Sequence, residues 1–112
     1  MTPGFMDRAR SARKGLLGTW VKIPAFETVE MLGHAGFDFV VLDMEHSPLA
    51  LDRTYELIFA TQRMGMAALV RLPDHLGTAV QPLLDAGADG LLVPRITSAD
   101  AAAVENELAD FG

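Results

Sequence analysis

The stretch Phe37-Asp38-Phe39-Val40-Val41-Leu42-Asp43-Met44-Glu45-His46 decides the predicted fold. It follows Gly36, begins as an almost unbroken apolar run rich in Val and Phe, and is typical of a strand buried on both faces. It ends in Asp43, Glu45 and His46, which are costly to bury without a partner. Ligands bind at the carboxyl ends of parallel strands in α/β folds. The pattern therefore predicts an acid–histidine site at the end of a parallel strand.

Length and composition restrict the classes of protein to which the chain can belong. Residues 1–112 predict one domain, and 50% of them are hydrophobic, which is enough to bury a core. The net charge of −6 argues against nucleic acid and anionic membranes as partners, because both require clustered basic residues. The absence of Cys excludes disulfides, thiolate zinc sites and a Cys nucleophile. No apolar run approaches the roughly 18–20 residues of a membrane span, so we expect a cytoplasmic protein.

Strand and helix signals alternate along the chain after a short basic segment. Residues 8–14 are basic, lack the apolar core of a signal sequence, and predict a short amphipathic helix. The later elements follow from apolar runs and from apolar residues at helical spacing. The predicted strands cover 16–23, 37–42, 67–73 and 91–94, and the predicted helices cover 26–32, 48–62, 78–85 and 98–108.

Capping signals mark the predicted helix ends. Ser47 followed by Pro48 predicts an N-cap and a first helical turn for the second helix. Thr78 and Gln81 have the spacing of a capping box for the third helix. Gly36 stands where a glycine commonly ends a helix. We therefore expect the second helix to begin at Pro48 and the third to be capped by Thr78.

The alternation of strand and helix predicts an α/β fold with a parallel sheet and right-handed crossovers. Two architectures fit this pattern: part of a (β/α)8 barrel, or a small open sheet. A whole barrel needs about 250 residues, so this chain has room for half of one. No glycine-rich dinucleotide fingerprint follows the first strand and no P-loop is present, which weakens nucleotide-binding interpretations.

Polar and aromatic residues gather at the predicted carboxyl ends of the strands. They are Trp20, Lys22, Asp43, Glu45, His46, Arg71, Pro94 and Arg95. A carboxylate at Asp43, three residues before His46, can orient the imidazole and raise its basicity. The guanidinium of Arg71 offers a bidentate fork for a carboxylate. A base beside such a fork suits proton transfer on a small 2-oxo acid.

Structural roles remain open for the same residues. Asp43 at a strand end can cap the following turn or helix, and His46 can be a histidine of a surface loop. Arg71 can form a purely structural ion pair with Asp43 or Glu45. Glu45 is expected to face solvent or another subunit, because side chains alternate along an extended chain. Trp20 is most simply a core or barrel-lining residue.

Four segments together resemble the HpcH/HpaI aldolase family, within the phosphoenolpyruvate/pyruvate-binding barrel superfamily. They are G-T-W at 18–20, A-G-F-D-F-V-V-L-D-M-E-H-S-P at 35–48, L-V-R-L-P at 69–73 and L-L-D-A-G-A-D-G-L-L-V-P at 83–94. The resemblance covers nearly the whole chain. It implies the N-terminal half of a (β/α)8 barrel, with about four βα units after a short helix.

The resemblance also implies an activity and site residues. Similar proteins are class II, metal-dependent aldolases that cleave 4-hydroxy-2-oxo acids to pyruvate and an aldehyde through a pyruvate enolate. By the same match, His46 is the general base, Asp43 orients it, and Arg71 binds the pyruvate carboxylate or oxo group. Trp20 and Pro94, at neighbouring strand ends, are predicted to contact the substrate.

A metal ion and a partner subunit are implied by the same resemblance. A divalent ion such as Mg²⁺, Mn²⁺ or Co²⁺ would be the Lewis acid at the enolate oxygen. In similar proteins a Glu and an Asp on later strands hold it, and the 112 residues are expected to stop before both. Asp85 matches a position that reaches a neighbouring subunit's site, so a homo-oligomer is expected. Arg95 stands where an apolar residue is more usual, and aromatic-compound catabolism is the implied pathway class.

Three other functions are alternatives to a metal-dependent aldolase. An acyl-CoA lyase of the same superfamily would share the barrel, but such proteins lack the D-x-E-H string that this chain has at 43–46. A non-catalytic half-barrel would retain the site residues and assemble with itself or a paralogue. A Schiff-base aldolase would need Lys22, the one lysine near a predicted strand end.

Overall fold

The computed structural model describes residues 15–73 and 77–93, together with Phe5, Asp7 and Arg10, which are helical. Strands and helices alternate along this part of the chain. They are β1 (Gly18–Val21), α1 (Phe26–His34), β2 (Phe39–Asp43), α2 (Leu51–Arg63), β3 (Ala67–Arg71), α3 (Gly77–Asp85) and β4 (Gly90–Leu92). The predicted helix at 98–108, and Pro94 and Arg95, lie outside the described residues. None of the helices in the described ranges is long and apolar enough to cross a membrane.

The order of the strands separates the two predicted architectures. The sheet has the order β1-β2-β3-β4, and every neighbouring pair is parallel. An open doubly wound sheet reverses its order at a switch point, whereas a barrel adds its strands in sequence. The register places Asp43 at the end of β2 beside Arg71 at the end of β3. The sheet is therefore organised as a barrel segment, with these two residues meeting at its carboxyl edge.

One face of the sheet packs against the helices and forms the core. Alternate strand residues, such as Val40, Leu42 and Val70, are fully buried there. Helix residues Val29 and Leu57 are buried in the same cluster. Alternation along each strand directs every second side chain to this face.

None of the helices α1 to α3 packs on the opposite face, which corresponds to a barrel interior. Trp20 lies on this face with 45% of its surface exposed, so it lines the predicted interior without being buried. The ring of Phe39 lies over Gly18, where an added Cβ would come within 2.2 Å of it. Phe5 contacts the same ring edge-on, with 5.4 Å between the centroids. An N-terminal side chain thus covers the amino end of this face.

Two aspartates fasten neighbouring strands together at the amino edge of the sheet. The backbone N–H of Asp38 donates to the carbonyl of Leu17 at 2.7 Å, and its carboxylate accepts the N–H of Leu17 at 2.8 Å. Asp89 does the same to Ala68, with both distances 2.8 Å. Each aspartate ends an Ala-Gly-x-Asp segment that follows a helix. We call these two arrangements the aspartate clamps.

The glycines of these segments allow the chain to turn back into the sheet. Gly36 and Gly87 have φ values of 92° and 96°, and Gly65, after α2, has a φ of 83°. Side chains rarely adopt this left-handed conformation, so glycine is favoured there. The predicted helix end at Gly36 is confirmed.

Two predicted helix starts are wrong. Helix α2 begins at Leu51, three residues after Pro48, and its N-cap residue Ala50 makes no side-chain capping bond. Ser47 instead donates its hydroxyl to the carbonyl of Asp43, because the chain first makes a turn at the end of β2. Helix α3 begins at Gly77, so Thr78 lies inside it.

Candidate active site

Asp43 and Arg71 form the centre of the carboxyl edge. Arg71 donates from Nε to Oδ1 of Asp43 at 3.1 Å and from Nη2 to Oδ2 at 2.6 Å. The two residues are paired in register as the last residues of β2 and β3, so their side chains leave the same face side by side. This bidentate fork is the geometry in which guanidinium and carboxylate bind most strongly.

The carboxylate of Asp43 is fully buried and accepts further bonds from the turn that follows β2. Its Oδ1 accepts the backbone N–H of Glu45 at 2.9 Å and that of His46 at 3.0 Å. The ammonium of Lys22 lies 3.7 Å from Oδ2. Asp43 therefore shapes the turn and gathers two cations at one point.

These contacts determine the protonation of the pair. Burial alone would raise the pKa of Asp43, but the hydrogen bonds from Arg71 and from the N–H groups of His46 and Glu45 outweigh it. They hold the pKa of Asp43 well below its usual range. The bond to Asp43 in turn raises the pKa of Arg71. Asp43 is thus a permanent anion near neutral pH, which suits an orienting role better than proton transfer.

Trp20 covers one face of the Arg71 guanidinium. The guanidinium carbon lies 4.1 Å from the centroid of the indole ring, within the range of a cation–π interaction. With Asp43 along one edge and Trp20 on one face, the guanidinium has little freedom to move. The Arg71 side chain remains 22% exposed, so part of it is open to a ligand.

Glu45 belongs to this cluster, contrary to the expectation that it faces solvent or another subunit. Its side chain is only 13% exposed, and its Oε1 lies 3.1 Å from Nε2 of His46 and 3.5 Å from Nε of Arg71. The expectation was wrong because it assumed an extended chain beyond β2. An Asp side chain that binds N–H groups two and three residues ahead is the signature of a turn, and this signal was present in the sequence.

His46 is placed at the site, but not by the expected contact. Its backbone N–H binds Asp43, while its imidazole contacts Glu45. The imidazole side chain is 63% exposed, so a ligand can reach it. The site as described consists of six residues, which we call the mouth cluster: Trp20, Lys22, Asp43, Glu45, His46 and Arg71.

Asp85, which the resemblance assigns to a neighbouring subunit's site, lies away from the mouth cluster of its own chain. Asp85 is the last residue of α3, is exposed, and accepts a hydrogen bond from Gln81 at 3.0 Å. The next strand, β4, begins at the amino edge of the sheet, whereas the mouth cluster lies at the carboxyl edge. Pro94 lies beyond the described residues.

The described residues do not form a metal site. Within 15–73 and 77–93, no group of three or more His, Asp or Glu side chains could hold a metal ion. The carboxylates of Asp43 and Glu45 already face cationic partners, with Arg71 contacting both of them. Their lone pairs are therefore committed to the site's own charges, and the pair does not fit the role of metal ligands.

Comparison with known proteins places this geometry in a family. The model of the HpcH/HpaI aldolase/citrate lyase family matches residues 16–111. The chain is 40% identical over 98 residues to a hydroxypyruvate/pyruvate aldolase of Paraburkholderia phytofirmans, a match that covers 86% of the chain and 38% of that enzyme. It is 34% identical over 86 residues to a 2-dehydro-3,6-dideoxy-6-sulfogluconate aldolase of Pseudomonas putida, covering 77% of the chain and 34% of that enzyme.

A solved structure gives the same assignment. An HpcH/HpaI aldolase/citrate lyase family protein from Burkholderia cenocepacia matches with a TM-score of 0.74 and 32% sequence identity. That match covers 90% of this chain and 40% of the solved chain. The present chain thus spans well under half the length of its relatives, and its parallel sheet is a partial (β/α)8 barrel, as predicted. The chain belongs to the HpcH/HpaI aldolase/citrate lyase family.

Proposed function

We propose that this chain carries part of the active site of a metal-dependent carbon–carbon lyase. The reaction would cleave a 4-hydroxy-2-oxo acid to pyruvate and an aldehyde, or run in reverse, through a pyruvate enolate. The observation that carries the proposal is the Arg71 guanidinium, held in place by Asp43 and Trp20 beside an accessible His46. The two aldolase relatives, by their names, belong to the same reaction class and support the proposal.

Arg71 is proposed to bind the 2-oxo acid. Its Nε and Nη2 groups are used by Asp43, so the Nη1 edge is the part directed at a ligand. Through that edge it would bind the carboxylate or oxo group, and it would stabilise the negative charge that develops on the enolate. A guanidinium fixed in advance loses little freedom on binding, which favours the charged transition state.

His46 is proposed to be the general base. In the cleavage direction it would take the proton of the C4 hydroxyl as the bond between C3 and C4 breaks. The electron pair of that bond remains on C3 as the enolate, and the former C4 leaves as the aldehyde carbon. Return of a proton to C3 gives pyruvate, so atoms and charge balance.

The family resemblance implies a divalent ion, Mg²⁺, Mn²⁺ or Co²⁺, which would polarise the enolate oxygen when bound. The described carboxylates do not fit its ligand set, so we place its ligands outside the described residues. No role assigned to His46, Asp43 or Arg71 is routed through the ion. We propose further that the protein is a homo-oligomer and that Asp85 approaches a neighbouring subunit's site.

The test is hydrogen–deuterium exchange of the pyruvate methyl group in D₂O, followed by loss of the methyl signal in proton NMR. Enolisation is the half-reaction that Arg71 and His46 would support, and it needs no knowledge of the aldehyde. We expect a barrel completed with the strands that carry the metal ligands to exchange faster with Mg²⁺ than a protein-free blank. The H46A variant should lose about 100-fold or more, the usual contribution of a general base.

The controls distinguish loss of the catalytic base from loss of folded protein. The E56Q variant changes an exposed carboxylate that pairs with Arg53 on α2, and it should exchange like the wild type. Chelation of the metal should stop exchange, and unchanged exchange would remove the ion from the proposal. Exchange no faster than the blank in a folded, metal-loaded barrel, or full exchange in H46A, would contradict the proposed function.

A further inference from the structure

Glu45 belongs to the mouth cluster, and the proposed reaction assigns it no role. Its carboxylate is only 13% exposed, in a turn that the side chain of Asp43 holds in place. Its Oε1 lies between the His46 imidazole and the Arg71 guanidinium, at 3.1 Å and 3.5 Å. A largely buried carboxylate is costly unless a charged or polar partner offsets its loss of water, and these two groups are its neighbours.

The 3.1 Å contact restricts which nitrogen of His46 can accept a proton. A neutral imidazole carries hydrogen on one nitrogen and a lone pair on the other. A lone pair on Nε2 would face the negative oxygen of Glu45 at 3.1 Å and be repelled. The favoured arrangement therefore has hydrogen on Nε2, which leaves Nδ1 as the basic atom.

The carboxylate of Asp43 is not the group that fixes the hydrogen on the His46 ring. Its Oδ1 and Oδ2 are engaged by Arg71 and by the two backbone N–H groups of the turn. The side chain of Lys22 is 52% exposed and also points its charge at Asp43. Among the charged groups of the mouth cluster, Glu45 is the one in contact with the imidazole.

We propose that Glu45 is a positioning residue that keeps hydrogen on Nε2 of His46, so that Nδ1 is the atom that exchanges protons with the substrate. The proposal rests on the proposed function for its kinetic consequence, but the state of the ring can be measured without any activity. Glu45 also partly neutralises Arg71, so it limits how strongly that guanidinium attracts an anionic substrate.

The first measurement is long-range proton–nitrogen NMR correlation of the histidine rings in the 112-residue chain at alkaline pH. The His46 signals are identified by their absence in H46A. We expect the wild-type ring to carry hydrogen on Nε2 alone. In E45A the ring should relax to a mixture of tautomers, which we also expect for His34, an exposed residue at the end of α1. The E56A variant, which removes a carboxylate from an exposed pair with Arg53, should resemble the wild type.

A hydrogen on Nδ1 in the wild type, or identical ring spectra in wild type and E45A, would overturn the proposal. Neither result depends on turnover. An inactive, metal-loaded barrel in which His46 has the expected ring spectrum would contradict the proposed function and leave the role of Glu45 supported, so the two failures are distinguishable.

The second measurement separates positioning from simple support of the fold. E45Q keeps the shape of the side chain and removes its charge. We expect kcat for pyruvate proton exchange to fall about 10-fold, because the His46 ring is no longer held in one tautomer. KM should fall about 3-fold, because Arg71 loses a competing carboxylate. A loss of folded protein would lower the rate without lowering KM, so unchanged constants or a raised KM would count against Glu45 as a positioning residue.

Discussion

The two edges of the same sheet both depend on aspartates, but they use them differently. At the amino edge, Asp38 and Asp89 bind the backbone of the neighbouring strand. At the carboxyl edge, Asp43 binds the side chain of Arg71 and the N–H groups of its own turn. A backbone clamp accepts any residue in the partner strand, whereas a side-chain fork requires an arginine. The amino edge thus holds the barrel segment together, and the carboxyl edge gathers the charged groups that we propose bind a ligand.

The two edges also differ in what the burial of charge costs. The bond from Leu17 to Asp38 is exposed, so its contribution is that of an ordinary hydrogen bond, about 1 kcal/mol. Asp43 is fully buried, and its desolvation must be offset by every bond it accepts. Removing one partner therefore has a greater effect at the carboxyl edge than at the amino edge.

The largest effect on stability is expected from D43N. This variant keeps the volume of the side chain but leaves Arg71, which is 22% exposed, without its fork partner. We expect the free energy of unfolding to fall by about 3 kcal/mol, the lower end for a broken buried ion pair. Urea unfolding measures it. A change below about 1 kcal/mol would show that the fork adds little to the fold.

Acid should weaken the same pair. The pKa of Asp43 in the folded chain lies below its ordinary value of 3.8. A lowered carboxyl pKa contributes stability that is complete above the unfolded pKa and is lost as the pH falls toward the folded pKa. Wild-type stability should therefore decline as the pH is lowered from about 5, and D43N should decline less. If the free energy of unfolding fell equally with pH in wild type and D43N, the pH dependence could not be assigned to Asp43.

The aspartate clamps should give smaller effects that do not involve catalysis. Asp89 accepts bonds from Ala68 and Gln62, whereas the Asp38 carboxylate accepts the N–H of Leu17. We expect losses of about 1.5–2 kcal/mol for D89A and about 1 kcal/mol for D38A in urea unfolding. Pyruvate proton exchange per folded molecule should stay within about twofold of wild type, whereas a specific loss would mean that the amino edge also serves the reaction.

The smallest effect is expected from W20F. Phenylalanine keeps an aromatic face under Arg71 but offers a weaker quadrupole than indole, a difference of about 0.5 kcal/mol. KM for pyruvate should rise about twofold with the fold intact. W20L, which has no aromatic face, serves as the sharper comparison and should raise KM further. Equal KM values in W20L and wild type would assign Trp20 to the barrel lining alone.

The fold and the centre of the site could be predicted from the sequence because each follows from regular geometry. The apolar run before Asp43 marked a buried strand, and parallel strands bring their last residues to one edge. This is why Asp43 and Arg71 were expected to meet, and the register pairs them. The alternative of a structural ion pair was also left open for them, and the observed fork is compatible with both roles.

The turn after β2 was missed although the bonds that hold it are local, because another local pattern predicted a helix start there. Ser47 and Pro48 have the pattern of a helix start, but the hydroxyl of Ser47 binds the carbonyl of Asp43 and the helix begins later. The same turn brings Glu45 into the cluster. The aspartate clamps were missed although their signal was visible, since Ala-Gly-x-Asp occurs at 35–38 and again at 86–89.

The most direct test of 2-oxo acid binding at the carboxyl edge is a pyruvate titration followed by tryptophan fluorescence. The chain contains a single tryptophan, and Trp20 stacks on the guanidinium proposed to bind the 2-oxo acid. We expect a saturable change in tryptophan emission for the wild type and for D38A, and none for R71A. A folded wild-type chain with no change, or R71A with the wild-type response, would contradict the claim that the carboxyl edge is a 2-oxo acid site.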